Sequence, residues 1–199
     1  MAITQDNFAD AQIEQYVSQE DLVKVKSELI TCPDINSNLC GHIYELSKNH
    51  AKSIFISSNE MVVDDQGLVH SAFIFSAANY VALAAINREF SVLISSKTYF
   101  YSPLKLGDVL YLEAQAMFDE NSRKREVRVL GFVKEIKIFE ATMQVVITDT
   151  HIFKMERPQN KKQGKEEKED SEKDEASAKI PGSDVDAMAQ VASIVGAKA

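Results

Sequence analysis

The stretch that decides the fold is Asp65-Gln66-Gly67-Leu68-Val69-His70-Ser71-Ala72-Phe73-Ile74-Phe75-Ser76-Ala77-Ala78-Asn79. A loop composition, Asp64-Asp65-Gln66-Gly67, runs straight into residues 68–86, nineteen positions without a formal charge. Such a run is long enough for a membrane span. It nevertheless holds His70, Ser71, Ser76, Asn79 and Tyr80, much of the rest is alanine with weak transfer energy, and strand-like segments flank it closely. A buried helix over residues 69–87, with no membrane span, is the expectation. Its first-turn N–H groups around Ser71 and Ala72 have no acceptor within the helix. Small side chains and the positive end of the helix dipole make them a seat for a phosphate or a carbonyl oxygen. Further along, Asn79 is a neutral amide among Phe75, Ala78, Ala82 and Ala85, and needs hydrogen-bond partners if buried.

Working outward, two short strand patterns precede the helix, residues 41–47 and 51–58, around a Lys48-Asn49-His50 turn. Four longer ones follow, at about residues 91–101, 108–118, 126–134 and 138–154, able to pair as neighbours. Alternation is clearest at Val109, Tyr111 and Glu113 and at Val127, Val129, Gly131 and Val133. Two strands, one very apolar helix and four strands describe an antiparallel sheet wrapped around a single long helix, an α+β fold.

The 199 residues thus divide into an arm (1–37), a domain (38–156), a linker (157–182) and a terminal segment (183–199). The net charge of -8 is uneven: the arm carries seven acidic and two basic residues, whereas the domain carries fourteen and twelve. No segment is basic, which disfavours a phosphate-backbone footprint and so a nucleic-acid partner. In the arm, Ser18 and Asp21 form a capping-box pattern, Leu22, Val25 and Leu29 share a helix face, and Pro33 ends the helix. That helix is expected to pack on the domain or across a dimer. The linker mixes lysines and carboxylates with little apolar content and is expected to be disordered. Beyond Pro181-Gly182, Val185, Met188, Val191, Ile194 and Val195 make the stripe of a short amphipathic helix. Residues 183–196 are expected either to dock a protein partner or to lie on their own domain. The first residues lack a basic and apolar signal pattern, and Cys32 and Cys40 form no metal or redox spacing. Reduced thiols in a cytoplasmic protein follow as the expectation.

The strand order, the helix and the His70–Asn79 segment resemble the hotdog fold of acyl-CoA thioesterases and dehydratases, over about residues 38–155. Phenylacetate-pathway-type thioesterases carry His-Gly-Gly at the helix start and an aspartate beyond it. Those positions fall on His70-Ser71-Ala72 and on Asn79. The non-catalytic, malonyl-CoA-sensing domain of the Bacillus-type fatty-acid-synthesis repressor is similar too. Its Ala-Asn-Ser-Leu-Ala-Val-Ala-Val-Ile-Asp run matches residues 78–87, and its Pro-Val-Lys-Leu-Gly-Glu segment resembles Pro103-Leu104-Lys105-Leu106-Gly107-Asp108. Small hotdog proteins of motility and virulence regulation in Campylobacter and Helicobacter relatives are further neighbours.

The resemblance implies a homodimer with an acyl chain beside the central helix, a coenzyme A thioester as ligand, and no resident cofactor or metal. The ligand-binding set it implies is Gly67, His70, Ser71, Ala72, Phe75 and Asn79. Departures set the chemistry. An amide at Asn79 cannot serve as nucleophile or base where the thioesterases have a carboxylate, and His70 stands where the repressor has an arginine. Binding of an acyl-CoA or related acyl thioester without turnover, in a regulatory role, is the expectation. A weak thioesterase using Asp65, and a pure interaction module, are the alternatives.

Overall fold

The computed structural model describes residues 13–117 and 122–155. The expected linker over 157–182 and terminal helix over 183–199 lie outside the described residues. The described residues up to Ile152 form one compact unit.

In chain order come α1 (Gln19–Glu28), α2 (Ser37–Cys40), β1 (His42–Ser47), β2 (His50–Ile56), α3 (Ser71–Ile86), β3 (Ser91–Phe100), β4 (Val109–Ala116), β5 (Lys124–Val133) and β6 (Ile136–Ile147). The six strands make one sheet in the order β1-β2-β4-β5-β6-β3, antiparallel throughout. Period-2 alternation sets the inner face: Leu110, Leu112 and Ala114 on β4 and Val127 and Val129 on β5 are at most 1% exposed. Against that face lies α3, whose Ala77, Ala78, Ala82 and Ala84 are fully buried. Alanines there let the helix backbone approach the sheet closely, while Ile74, Val81 and Phe55 belong to the same buried core.

Three expectations need correction. The last strand pattern ends at Ile147 rather than near residue 154, because Thr148 turns the chain, its hydroxyl donating to the Thr150 carbonyl at 2.7 Å. The helix begins at Ser71, not Val69: Val69 is bridged to Val62 and its N–H is spent on the Leu104 carbonyl at 2.9 Å. The four later strands are not a simple run of neighbours either. β3 pairs with β6 at the far edge while β4 pairs with β2, so only β4-β5-β6 is a meander. The connection from β3 to β4 crosses the end of the sheet and is pinned there by the Leu68–Lys105 bridge.

The described part of the arm packs on the domain. Ser18 caps α1, accepting from the Asp21 N–H at 3.2 Å while its own hydroxyl donates to the Asp21 carboxylate at 2.6 Å. The helix ends at Glu28, ahead of Pro33, with the Leu29 N–H closing onto the Val25 carbonyl. Val25 joins the main core. Ile13 and Val17 instead bury against Ile54, on the opposite face of β2 from Phe55, with Tyr44 and Tyr111 alongside. Glu20 and Asp21 remain exposed.

A single residue ties this arm to the end of α3. Asn87 sits in the left-handed region (φ 48°) as the helix C-cap. Its side-chain oxygen accepts from the N–H groups of Ile30 at 2.8 Å and Thr31 at 3.4 Å, and its amide donates to the Glu28 carbonyl at 2.9 Å. Thr31 is 1% exposed, so its N–H would have no water to turn to. Asn87→Ala is expected to destabilise by about 2–3 kcal/mol and to raise proteolysis in the arm. Asn87→Gly keeps the backbone freedom and should lose only the hydrogen-bond share, which urea unfolding of the two variants separates.

Tyr80 lies on α3 near Cys32 and Cys40, both free thiols. Burial pushes its phenol up to about 12, so the folded state holds the proton more tightly than the unfolded chain. The stability tied to this group is therefore complete below about pH 10 and is lost as pH rises from about 10 toward 12. In a phenolate absorbance titration of the six tyrosines, the latest phase is expected to vanish in Tyr80→Phe.

Candidate functional site

The segment entering α3 is held from both sides. Val63 N–H donates to the Leu68 carbonyl, His70 N–H to Met61, and Leu106 N–H to Gly67, all at 2.8–2.9 Å. Gly67 adopts φ +82° at the foot of this segment, a backbone conformation that favours glycine. His70 is the N-cap: its Nδ1 accepts the Ala72 N–H at 3.1 Å, which places the ring proton of the neutral imidazole on Nε2. The Phe73 N–H goes to the His70 carbonyl at 3.1 Å. Of the seat expected at Ser71 and Ala72, the Ala72 donor is thus already used, and Ser71 supplies the N–H left at the helix start.

A cavity of about 420 Å³ opens at this point. Leu68, His70, Ser71 and Ile74 line it from the helix side, and Phe100, Tyr101 and Pro103 from the end of β3. Its wall is mostly apolar, and no aspartate or glutamate belongs to it among the described residues. Phe100 is held edge-to-face on Phe139 at 5.2 Å between ring centres. Tyr101 donates to the Glu140 carboxylate at 3.2 Å and lies under the Lys137 ammonium. Lys137 and Arg128 hold the Glu140 carboxyl well down, at about 2, so it stays charged and keeps these side chains in place at any neutral pH.

Only part of the expected constellation converges. His70 and Ser71 line the cavity, while Gly67 serves the turn beneath it. Ala72, Phe75 and Asn79 follow at i, i+3 and i+7 on one face of α3, partly or fully exposed rather than turned into the core. Ala72 and Asn79 are separated by about 10 Å along the axis at 1.5 Å per residue. That exceeds a thioester group, so one ligand would meet them at different points. The Asn79 side-chain oxygen is buried and has no hydrogen-bond partner. Asp65 lies exposed in the loop, its carboxylate accepting only from the Gln66 side chain at 3.3 Å, while Asp64 organises the turn through the N–H groups of Gln66 and Leu68. Ile74, Phe100 and Tyr101 were absent from the residues expected at the site. The signal for the last two is the aromatic run Tyr99-Phe100-Tyr101 just before Pro103.

A wider cavity, about 540 Å³, lies between the arm and the domain beside Leu22, Cys32 and Tyr80. Its lining includes Gln19 and Ser37, the first residues of α1 and α2. No group of three metal-ligating side chains occurs among the described residues, and none of their helices is long and apolar enough to cross a membrane.

No protein-family model matches the chain. A crystal structure of Cj0977, a sigma28-regulated virulence protein from Campylobacter jejuni, is 64% identical, with a TM-score of 0.69 over 70% of this chain and 99% of that one. Transcription factor FapR of Bacillus cereus is 31% identical over 97 residues, 48% of this chain and 49% of its own. The chain therefore spans about half the length of that curated relative, and only 23% of a methylthioribose-1-phosphate isomerase from Aquifex aeolicus that is 36% identical over 106 residues. At the level of fold alone, smu.793 from Streptococcus mutans, solved bound to acetyl CoA, superposes with a TM-score of 0.52 at 16% identity.

Proposed function

Because the chain belongs to the hotdog-fold family, together with Cj0977, we propose that it binds an acyl-CoA or related acyl thioester without hydrolysing it. The observation that carries the reading is the apolar cavity at the start of α3, with a helix-end donor at its mouth and no carboxylate among the described residues of its wall. The acyl group would lie against Leu68, Ile74 and Phe100, and its carbonyl oxygen would face the Ser71 N–H. The half-sequence similarity to FapR and the acetyl CoA held by a protein of the same fold support this ligand class.

Hydrolysis would need a base or nucleophile within hydrogen-bond reach of the thioester. His70 spends Nδ1 on Ala72, Asn79 has no titrating group, and Asp65 is committed to an exposed turn. Occupancy would act as a signal rather than a turnover. A homodimer is part of this reading: the outer edge of β3 has no strand partner among the described residues, Tyr99 and Phe100 on it are each 46% exposed, and the Phe75–Asn79 face of α3 is left half-covered.

Equilibrium binding of acyl-CoAs of graded chain length, followed by calorimetry and thermal shift, tests the proposal. Saturable binding that strengthens with acyl length is expected, at least tenfold weaker in Leu68→Glu, a partly exposed wall residue (39%). Absence of saturable binding for every chain length would leave the interaction-module reading in its place.

A further inference from the structure

A second cavity lies at the opposite end of α3 from His70, about 330 Å³ in volume, and its wall is polar. Arg125, Arg88 and Lys48 line it, together with Asn49, Asn87 and Glu28. The position of Arg125 is unusual. On β5 the buried residues alternate as Arg125, Val127 and Val129, so the guanidinium occupies an inward place that the strand pattern assigns to an apolar side chain. It is 3% exposed. A buried arginine is ordinarily matched by a carboxylate, since a charge taken out of water is costly unless paired. Here both hydrogen bonds leave from one nitrogen, Nη2, to the Asn49 side-chain oxygen at 2.9 Å and the Met117 carbonyl at 3.2 Å. Neither acceptor is charged. Nε is buried with no partner at all.

We infer that this cavity is a binding site for a phosphate-class anion, with Arg125 as its buried anchor. Among the described residues, Arg125 and Arg88 in the wall outnumber its carboxylate, Glu28, and leave a surplus of positive charge that suits an anion. That surplus also has to overcome the carbonyl end of α3, which repels anions. Arg125 keeps its Nε–H unspent for an oxygen atom, and Arg88 is exposed at the rim where it can close over a bound group. Nη2 meanwhile fixes the guanidinium on Asn49, so the anchor is oriented before any ligand arrives. The site is separate from the acyl cavity and shares no lining residue with it.

The test uses the full chain in chloride buffers of matched ionic strength, titrated with inorganic phosphate or with glycerol 3-phosphate and followed by thermal shift and calorimetry. Saturable binding is expected, with Kd at least tenfold weaker in Arg125→Met and severalfold weaker in Arg88→Gln, and unchanged in Leu68→Glu. A preference for glycerol 3-phosphate would identify a phosphate monoester as the ligand, and a preference for the inorganic ion the free anion. Should Arg125→Met fail to fold, the exposed Arg88→Gln variant decides. No saturable binding of either probe, or equal affinity in wild type and Arg88→Gln, overturns the inference.

Discussion

Phe139→Ala is expected to lower the free energy of unfolding by about 3–5 kcal/mol. Phe139 is fully buried on β6, directly opposite Gly131 of β5 on one side and Phe100 of β3 on the other. Gly131 leaves room for the ring: a Cβ there would stand 2.9 Å from the Phe139 Cβ and 3.0 Å from a Leu112 methyl. The vacated space cannot close easily, because the strands on both sides are fixed by their ladders, so the cavity penalty adds to the lost transfer energy. The effect extends to the proposed site. Phe100 loses its edge-to-face partner and with it a defined position in the cavity wall, so acyl-CoA binding should weaken as stability falls. Urea unfolding gives the first effect as a lower midpoint at unchanged slope. Calorimetry below the transition gives the second.

Gly41→Ala is expected to cost at least about 3 kcal/mol. Gly41 has φ 82° and ψ 174°, a region that is almost closed to residues with a Cβ. The added methyl would also stand 2.8 Å from the Ile54 carbonyl oxygen. That carbonyl belongs to the middle of β2, in register with His42 on one side and Tyr111 on the other, and cannot move without opening two ladders. Gly107→Ala is the control: its φ is 86°, but nothing lies within 4 Å of the added carbon. It should show only the backbone share, about 1–2 kcal/mol. Equal losses in the two variants would mean that the contact with Ile54 contributes nothing.

What the sequence made legible follows from where its signals are local. The uncharged run over residues 68–86 and the alternation of Val127 and Val129 place α3 and β5, because burial repeats along one element. The Ser18–Asp21 cap is equally local and is present as expected. The strand order was not legible. Pairing of β3 with β6 depends on a crossing held by Leu68, Val69, Leu104 and Lys105, which lie far apart in sequence. The site was legible in part for the same reason. His70 and Ser71 sit at a helix start that can be read directly, whereas Phe100 reaches them only through the sheet. That His70 acts as the cap was not legible, since the tautomer that accepts from Ala72 is a matter of geometry, not of composition. Arg125 carried no sequence signal beyond an inward position on an alternating strand.

The most direct measurement of the central claim is thiol release from acyl-CoA at concentrations that saturate the protein. Binding without turnover predicts release at the buffer rate throughout, with the complex still present at the end. Release above that rate, abolished by Asn79→Ala or by Asp65→Ala, would contradict it.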